Sequence, residues 1–285
     1  MSKIIKFVEC PRDAMQGIPL LIPTEKKIEY IQSLLKVGFD IIDFGSFVSP
    51  KAIPQMADTA DVLQGLDLSN TQSELLAIIA NIKGAIEACK YPQIKYLGYP
   101  FSISETFQMR NTNSTIEESF ERVKEIQSLC LESGKKLTIY ISMGFGNPYG
   151  DEYNVELVEK WVHKLSELKI DIFSLSDTVG IANPELIGQL FGGLIPKFPH
   201  LEFGAHLHSA PYNWLPKVKA AYKNGCSRFD VAIGGLGGCP MAKDDLVGNL
   251  ATEYFVNFYS DKFKPSFDMD AFGASIRMAK EVFHT

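Results

Sequence analysis

Long apolar runs, which mark proteins that cross or enter a membrane, are absent from this sequence. No hydrophobic stretch reaches the roughly 20 residues that a membrane-spanning helix needs. The first residues, Met-Ser-Lys-Ile-Ile-Lys-Phe-Val, pass directly into a strand pattern and lack the apolar centre of a secretory signal peptide. We therefore expect no membrane partner and a cytoplasmic location.

Cysteine pairs at metal-binding or disulfide spacing are also absent. The chain has five cysteines, an odd number, and they are scattered without any Cys-x-x-Cys motif. They are Cys10, Cys89, Cys130, Cys226 and Cys239. A disulfide framework or a structural zinc site is therefore not expected, and the cysteine content fits a reducing compartment.

The chain lacks the excess of positive charge that nucleic-acid-binding proteins carry. It contains 28 lysines and arginines against 34 aspartates and glutamates, for a net charge of −6, with no long basic run. Electrostatic attraction to a phosphate backbone therefore has no support, and we expect no nucleic-acid partner.

A linker rich in proline or serine is missing, and the composition does not change along the chain. With 285 residues, 46 % of them hydrophobic, the chain can bury a large core. We therefore predict one domain that spans residues 1–285.

Hydrophobic periodicity predicts alternating strands and helices along the whole chain. The predicted strands are 4–8, 39–43, 75–79, 94–99, 137–142, 171–176, 201–205 (with His206 and His208 at its end) and 228–233. The predicted helices are 23–37, 52–63, 82–88, 114–132, 154–168, 183–195, 212–224, 244–259 and 269–283.

Eight strand–helix units in a chain of this size predict an α/β fold, a single TIM (β/α)8 barrel. The helices after about residue 243 are then extra C-terminal helices that pack on the barrel. The alternative is an open doubly wound sheet, but no Gly-x-Gly-x-x-Gly follows the first strand.

Two histidines at a spacing of two end the seventh predicted strand. Residues two apart on a strand point to the same face, so His206 and His208 are expected to project side by side. Two imidazoles on one face can bind a divalent metal ion. The alternative is a pair of ordinary polar residues at the end of a strand.

Barrel enzymes build their sites at the carboxyl ends of the strands, and several polar residues of this sequence follow the predicted strands there. Asp13 follows the first strand, and Asn249 follows a glycine-rich stretch after the eighth. Together with His206 and His208 they form a mixed oxygen and nitrogen ligand set that leaves positions open for a substrate. Polar residues on an ordinary surface are the alternative.

Two further residues near the strand ends have side chains suited to catalysis. Arg12 is permanently charged and can stabilise an oxygen that becomes negative, although a structural salt bridge to Asp13 or Glu9 is the alternative. Cys239 follows four glycines in the six preceding positions, which favours a loop that closes over a ligand. A buried packing cysteine is the alternative there.

Seven motifs in this order resemble the 3-hydroxy-3-methylglutaryl-CoA lyase family of metal-dependent barrels. They are Pro11-Arg12-Asp13 with Gln16, Ser46-Phe-Val-Ser-Pro-Lys51 with Pro54-Gln-Met56, Ser114-Thr-Ile-Glu-Glu-Ser119, Asp177-Thr178, Ala205-His206-Leu-His208, Gly235-Leu-Gly-Gly-Cys239-Pro240 and Gly248-Asn249-Leu-Ala-Thr-Glu253. The second and the sixth are specific to the lyase branch, whereas the Arg-Asp pair and His-x-His are shared more widely.

The resemblance implies a role for each matching residue. The implied ligands of Mg²⁺ or Mn²⁺ are Asp13, His206, His208 and Asn249. Arg12 is implied to stabilise an enolate and Cys239 to act from a mobile loop. The reaction also needs a base that removes a hydroxyl proton, for which Asp43 and His206 are both candidates. The implied substrate-binding residues are Gln16, Asp177, Thr178, Arg110 and Asn111, the last two toward the acyl-CoA.

Some positions depart from the family pattern. Asp43 stands where the family usually has glutamate, Ser209 where it has aspartate, and Cys10 and Ala14 where it has glycines. The connection from Cys239 to Asn249 is one residue longer, and a lysine usual after Gln16 is missing.

The resemblance predicts cleavage of 3-hydroxy-3-methylglutaryl-CoA to acetyl-CoA and acetoacetate, with a small-molecule acyl-CoA substrate and a homo-oligomer, a dimer, as the assembly. A synthase that joins acetyl-CoA to a 2-oxo acid and a non-catalytic binding barrel are the alternatives.

Overall fold

Eight parallel strands close into one barrel in the computed structural model, which describes residues 4–238, 248–259 and 267–283. The strands are β1 (Lys6–Glu9), β2 (Ile41–Ser46), β3 (Glu74–Ile78), β4 (Ile94–Ser102), β5 (Lys136–Ser142), β6 (Ile172–Ser176), β7 (Glu202–His206) and β8 (Arg228–Val231). Each strand pairs with the next, and β1 pairs with β8. The predicted TIM barrel is therefore confirmed, and the open sheet is excluded.

The helices follow the strands around the outside of the barrel. They are α1 (Pro11–Gln16), α2 (Thr24–Leu35), α3 (Thr59–Gly65), α4 (Ile82–Cys89), α5 (Glu105–Thr112), α6 (Ile116–Glu132), α7 (Val155–Ser166), α8 (Pro184–Lys197), α9 (Trp214–Lys223), α10 (Thr252–Tyr259) and α11 (Met269–Phe283). The sequence pattern missed α1 and α5, which are short and carry no long apolar period. Proline at the first position favours α1, and the Ser104 side chain caps α5 by accepting from the Phe107 N–H.

Two predicted helices differ from the observed ones. The predicted helix 52–63 is a 3-10 turn, Pro54–Met56, followed by α3, because a residue that precedes proline avoids the helical region and Ile53 has φ −133°. The predicted helix 244–259 begins only at Thr252. Asn249 and Ala251 instead form isolated β-bridges, and residues 244–247 lie outside the described ranges.

Neighbouring residues on one strand belong to two different cores. Val8 and Ile41 face the barrel interior, together with Leu76, Tyr96 and Ile172. Phe7 and Ile42, one position away, pack in the larger core between the barrel and its helices. The period of two therefore gives the barrel a small interior and a large apolar outer layer.

The C-terminal helix α11 packs beside α2 on the outside of the barrel. The ring of Phe283 lies 5.4 Å from that of Tyr30, and Phe272 lies 6.3 Å from Phe39, both nearly edge to face. Aromatic pairs in this geometry stabilise by more than their buried area alone. Within the described ranges, none of the helices combines the length and apolar character needed to traverse a bilayer.

Two helical glycines give a matched test of the helix–barrel packing. A Cβ at Gly84 of α4 would lie inside the van der Waals distance of the Phe47 carbonyl oxygen, whereas a Cβ at Gly193 of α8 would meet nothing within 4 Å. We expect Gly84→Ala to lower the free energy of unfolding by about 1–3 kcal/mol, because backbone must move. Gly193→Ala should raise it by about 0.5–1 kcal/mol through the helix propensity of alanine.

The free energies would be measured by urea denaturation followed by circular dichroism. A stabilising effect of Gly84→Ala would contradict the close approach of α4 to the end of β2.

Candidate active site

Three of the predicted metal ligands meet at the carboxyl ends of the strands. Asp13 lies in α1, His206 ends β7, and His208 follows two residues later. One ligand atom from each lies within 4.8 Å of the other two, although Asp13 and His206 are 193 positions apart in the sequence. Asp13 and His208 are 5 % and 3 % exposed, so the cluster is largely shielded from water. The geometry suits one divalent ion.

Each histidine ring has a nitrogen available to an ion. His206 Nδ1 lies 3.1 Å from Asp230 Oδ2, which also accepts a hydrogen bond from the Ser174 hydroxyl. The buried Nε2 of His208 has no hydrogen-bond partner among the described residues. The His206 ring has the arrangement of metal-binding histidines, with one nitrogen held by an outer partner and the other facing the ion.

The protonation preferences of the cluster also fit a metal ion. Burial, together with the charge of His206, lowers the pKa of His208 to about 4, so its ring is neutral near pH 7. Burial works to raise the pKa of Asp13, but the charges of Arg12 and His206 outweigh it and lower the pKa to about 2. A neutral imidazole and an ionised carboxylate are the forms that bind metal.

Asn249 contacts the cluster through its amide nitrogen. Nδ2 donates to Asp13 Oδ2 at 2.6 Å and to the Leu236 carbonyl at 2.8 Å. Because a carbonyl oxygen only accepts, the Leu236 contact shows that the amide nitrogen of Asn249, and not its oxygen, faces Leu236 and Asp13. Gly237 has φ +101°, and a Cβ there would lie 2.5 Å from Nδ2, so only glycine fits. Asn249 therefore positions Asp13, and its predicted role as a ligand stays a prediction.

Arg12 lies between two carboxylates beside this cluster. Its Nη1 donates to Asp13 Oδ1 at 2.8 Å and to Gln16 Oε1 at 2.9 Å, and its Nε and Nη2 donate to Asp43. These bonds use four of the five N–H donors and leave one on Nη2. The salt bridge to Asp13 is present, whereas Glu9 instead accepts from the Ile233 N–H and the Thr252 hydroxyl.

Asp43 is completely buried and has both carboxylate oxygens in contact with Arg12. Burial raises the pKa of Asp43 to about 6, and the charge of Arg12 opposes this rise. Gln16 completes the group, because its Nε2 donates to Asp13 Oδ1 at 2.7 Å while its oxygen accepts from Arg12. The contact of Gln16 with substrate stays a prediction.

Asp177 and Thr178, predicted to bind substrate, are engaged within the protein. The Asp177 carboxylate accepts from Lys217 Nζ at 2.8 Å and from the Ala182 N–H at 2.9 Å. The Thr178 hydroxyl accepts from the Met143 N–H at 2.8 Å. Both side chains are buried, so these contacts hold the turn after β6 in place.

Arg110 and Asn111 lie in α5, which follows the carboxyl end of β4. The Arg110 guanidinium is exposed and lies 4.5 Å from the centre of the Tyr149 ring, and Asn111 is partly exposed. No hydrogen bond or ion pair within the described ranges joins them to the Asp13 cluster. Cys239 lies outside the residues that the structure describes, so its position in the site stays a prediction.

Sequence reasoning missed two residues that contact the site. Asp230 orients His206 from the interior of the barrel, and Lys217 bonds to the His208 carbonyl at 2.8 Å. Asp230 had a detectable signal, because an acidic residue in the middle of a buried strand has to have a partner. No sequence signal indicated Lys217, since a lysine in an amphipathic helix is usually exposed.

Comparisons with known proteins agree with these motifs and this geometry. A family model described as HMGL-like matches residues 4–273. Hydroxymethylglutaryl-CoA lyase of Bacillus subtilis is 33 % identical over 253 residues, which cover 86 % of this chain and 81 % of the relative. The mitochondrial hydroxymethylglutaryl-CoA lyase of Mus musculus is 33 % identical over 259 residues, covering 90 % and 78 %.

One solved structure adds a ligand complex to these relatives. It is an HMG-CoA lyase from Acinetobacter baumannii in complex with coenzyme A and 3-methylmalate. It superposes with a TM-score of 0.91 at 31 % identity and covers 100 % of this chain and 92 % of its own. The family match over nearly the whole chain and these identities show that the chain belongs to the HMGL-like family.

Proposed function

We infer that the chain is a hydroxymethylglutaryl-CoA lyase, which cleaves 3-hydroxy-3-methylglutaryl-CoA to acetyl-CoA and acetoacetate. The observation that carries this inference is the cluster of Asp13, His206 and His208 beside Arg12 at the mouth of the barrel. Similarity to lyases of that name over most of the chain supports the same reaction.

A divalent ion, Mg²⁺ or Mn²⁺, is the proposed cofactor. Asp13, His206 and His208 would hold it through one carboxylate oxygen and two imidazole nitrogens, with Asn249 as the predicted fourth ligand. This mixed donor set, with positions left open, suits either ion. Bound there, the ion would act as a Lewis acid and a template for the hydroxyl and carboxylate oxygens of the substrate.

Cleavage starts with removal of the proton on the C3 hydroxyl, for which Asp43 and His206 are the predicted acceptors. Both oxygens of Asp43 accept hydrogen bonds from Arg12, so Asp43 is better suited to hold the guanidinium in place. The ring of His206 could take up the proton, since Asp230 would stabilise the positive charge, but only on the one nitrogen that does not face Asp230. Because the same nitrogen is proposed to hold the ion, His206 would act as the base only while it is not a ligand, and Asp43 stays the alternative acceptor.

Rupture of the C2–C3 bond leaves its electron pair on the acetyl-CoA fragment, where it becomes the enolate of the thioester. The remaining N–H of Arg12 Nη2 is the proposed donor to the enolate oxygen, and such fixed donors stabilise developing negative charge. The enolate then takes a proton at C2, for which Cys239 is the predicted source.

The finer features of the protein stay proposals. The coenzyme A complex of the Acinetobacter baumannii relative supports an acyl-CoA substrate for this chain. A homodimer and a cytoplasmic location remain predictions from the sequence. A synthase reaction and a non-catalytic barrel are the competing functions, and assays on purified protein distinguish them from a lyase.

Removal of the metal should abolish the activity reversibly. After treatment with a chelator, we expect no release of acetyl-CoA, and addition of Mg²⁺ or Mn²⁺ should restore it, because the substrate oxygens lose their template. Acetyl-CoA would be measured by a coupled assay. Full turnover in protein shown to be free of metal would contradict the proposed role of Asp13, His206 and His208.

Replacement of the arginine should slow the reaction without removing the metal. We expect Arg12→Gln to lower kcat/KM by roughly 100-fold or more, because a fixed donor to the enolate oxygen is lost. Mn²⁺ binding, followed by electron paramagnetic resonance, should persist. Arg277→Gln, on the exposed side of α11, is the control and should leave kcat/KM unchanged. If Arg12→Gln also leaves kcat/KM unchanged, Arg12 has only a structural role.

The substrate should carry both a C3 hydroxyl and a terminal carboxylate. Acetyl-CoA release would be compared for 3-hydroxy-3-methylglutaryl-CoA, for analogues with larger C3 substituents, and for 3-hydroxybutyryl-CoA, which lacks the carboxylate. We expect the first to be preferred and the last to fail, because it loses one metal contact and the orientation that this contact provides. Preferred cleavage of 3-hydroxybutyryl-CoA would contradict chelation by the metal.

A further inference from the structure

Lys217 is a buried lysine that the proposed reaction does not use. It lies in α9 and is 3 % exposed. A buried ammonium group is costly unless its charge is paired and its donors are bonded. A lysine at this depth therefore needs three acceptors, and the identity of those acceptors indicates what it holds together.

The three acceptors of Lys217 come from two loops at the mouth of the barrel. Its Nζ donates to Asp177 Oδ2 at 2.8 Å and to the Gly180 carbonyl at 3.2 Å, both in the turn after β6. It also donates to the His208 carbonyl at 2.8 Å, just beyond β7. One ammonium group thus satisfies all its donors and joins the two loops.

The turn after β6 is in turn bonded to the end of β7. The Asp177 N–H donates to the His206 carbonyl at 2.9 Å. The Gly180 N–H donates to the Asp177 carbonyl at 3.0 Å, so the turn is closed on itself. Lys217 therefore holds the backbone of His208 directly, and through Asp177 and Gly180 it holds the turn that bonds to the backbone of His206.

We propose that Lys217 is a positioning residue for the metal centre, whose ammonium group keeps His208 Nε2 directed toward Asp13 and His206. The proposal rests on the proposed function, because it assumes that His208 binds the ion. Lys217 itself is too enclosed to touch a substrate. Partners of this kind typically change metal affinity by about 10- to 100-fold when they are removed.

A second buried lysine offers a matched control. Lys27 is also 3 % exposed, and its Nζ donates to Asp58 Oδ1 at 2.7 Å and to the Gln55 carbonyl. It joins α2 to the segment before α3, and neither acceptor is a predicted ligand. Loss of Lys27 therefore reports the general effect of removing a buried ammonium–carboxylate pair.

The experiment compares Mn²⁺ binding by the wild type, Lys217→Met and Lys27→Met, measured by electron paramagnetic resonance, with melting temperatures recorded in parallel. Both variants should melt at a lower temperature, because each leaves a carboxylate without its cation. Only Lys217→Met should bind Mn²⁺ roughly ten times more weakly or worse. Lys27→Met should bind Mn²⁺ as the wild type does.

A double variant keeps the test decisive if Lys217→Met does not fold. Lys217→Met with Asp177→Asn removes the unpaired buried charge, and the asparagine oxygen can still accept from the Ala182 N–H. The His208 carbonyl remains without its donor, so Mn²⁺ binding should again be weakened by about tenfold or more.

Wild-type Mn²⁺ affinity in a folded Lys217→Met or double variant would overturn the positioning role, as would equal weakening in Lys27→Met. A wild-type protein that binds no Mn²⁺ would instead overturn the metal centre itself, and the positioning role with it. The two failures are therefore distinguishable.

Discussion

Hydrogen bonding between β1 and β8 closes the barrel and creates the site. Val8 pairs with Asp230 and Glu9 with Val231, so the first and last strands lie side by side. Three further contacts join the same parts of the chain, since Glu9 accepts from Ile233 and Thr252, and Asn249 donates to Asp13. In a closed barrel no strand is an edge strand, so each strand forms backbone hydrogen bonds with a neighbour on both sides. Only this closure brings Asp13, next to β1, close to His206 and His208 at the end of β7.

The charges gathered at the mouth of the barrel are only partly compensated by the chain itself. One guanidinium, that of Arg12, faces the two carboxylates of Asp13 and Asp43, and all three groups are buried. Burial works to raise the pKa of both carboxyl groups, but neighbouring charges outweigh it only at Asp13, so the pKa of Asp43 rises to about 6 while that of Asp13 falls to about 2. A site in which one guanidinium faces two carboxylates has room for a further positive charge, which a divalent cation would supply.

The orientation of the two histidines depends on partners that lie outside the sequence motifs of the site. Asp230 reaches His206 from inside the barrel, and Lys217 reaches the backbone of His208 from a helix on the outside. Ser174 adds a hydrogen bond to Asp230, so the orientation of His206 depends on both β6 and β8. Such outer contacts fix ring direction and tautomer, and a metal centre depends on them as much as on its ligands.

The sequence by itself determined the barrel and predicted that Asp13, His206 and His208 lie at the carboxyl ends of its strands. The period of two in the strands, the period of the helices and the eightfold alternation are local patterns, and each was readable without coordinates. The spacing of His206 and His208 was equally local, because alternate residues of a strand share a face. What local patterns could not supply was the short helices α1 and α5, or the split at Pro54 of the helix expected over 52–63.

Only the tertiary structure decided which partners each site residue has. A salt bridge from Arg12 to Asp13 or Glu9 was the alternative to its catalytic role, but the fold adds Asp43, 31 positions away, and assigns Glu9 to the segments after β8. Asp177 matched a substrate-binding motif, yet Lys217 and a backbone N–H occupy its oxygens. A strand or helix arises from neighbours in sequence, whereas the partner of a buried charge depends on which distant segments the closed barrel brings within hydrogen-bonding distance.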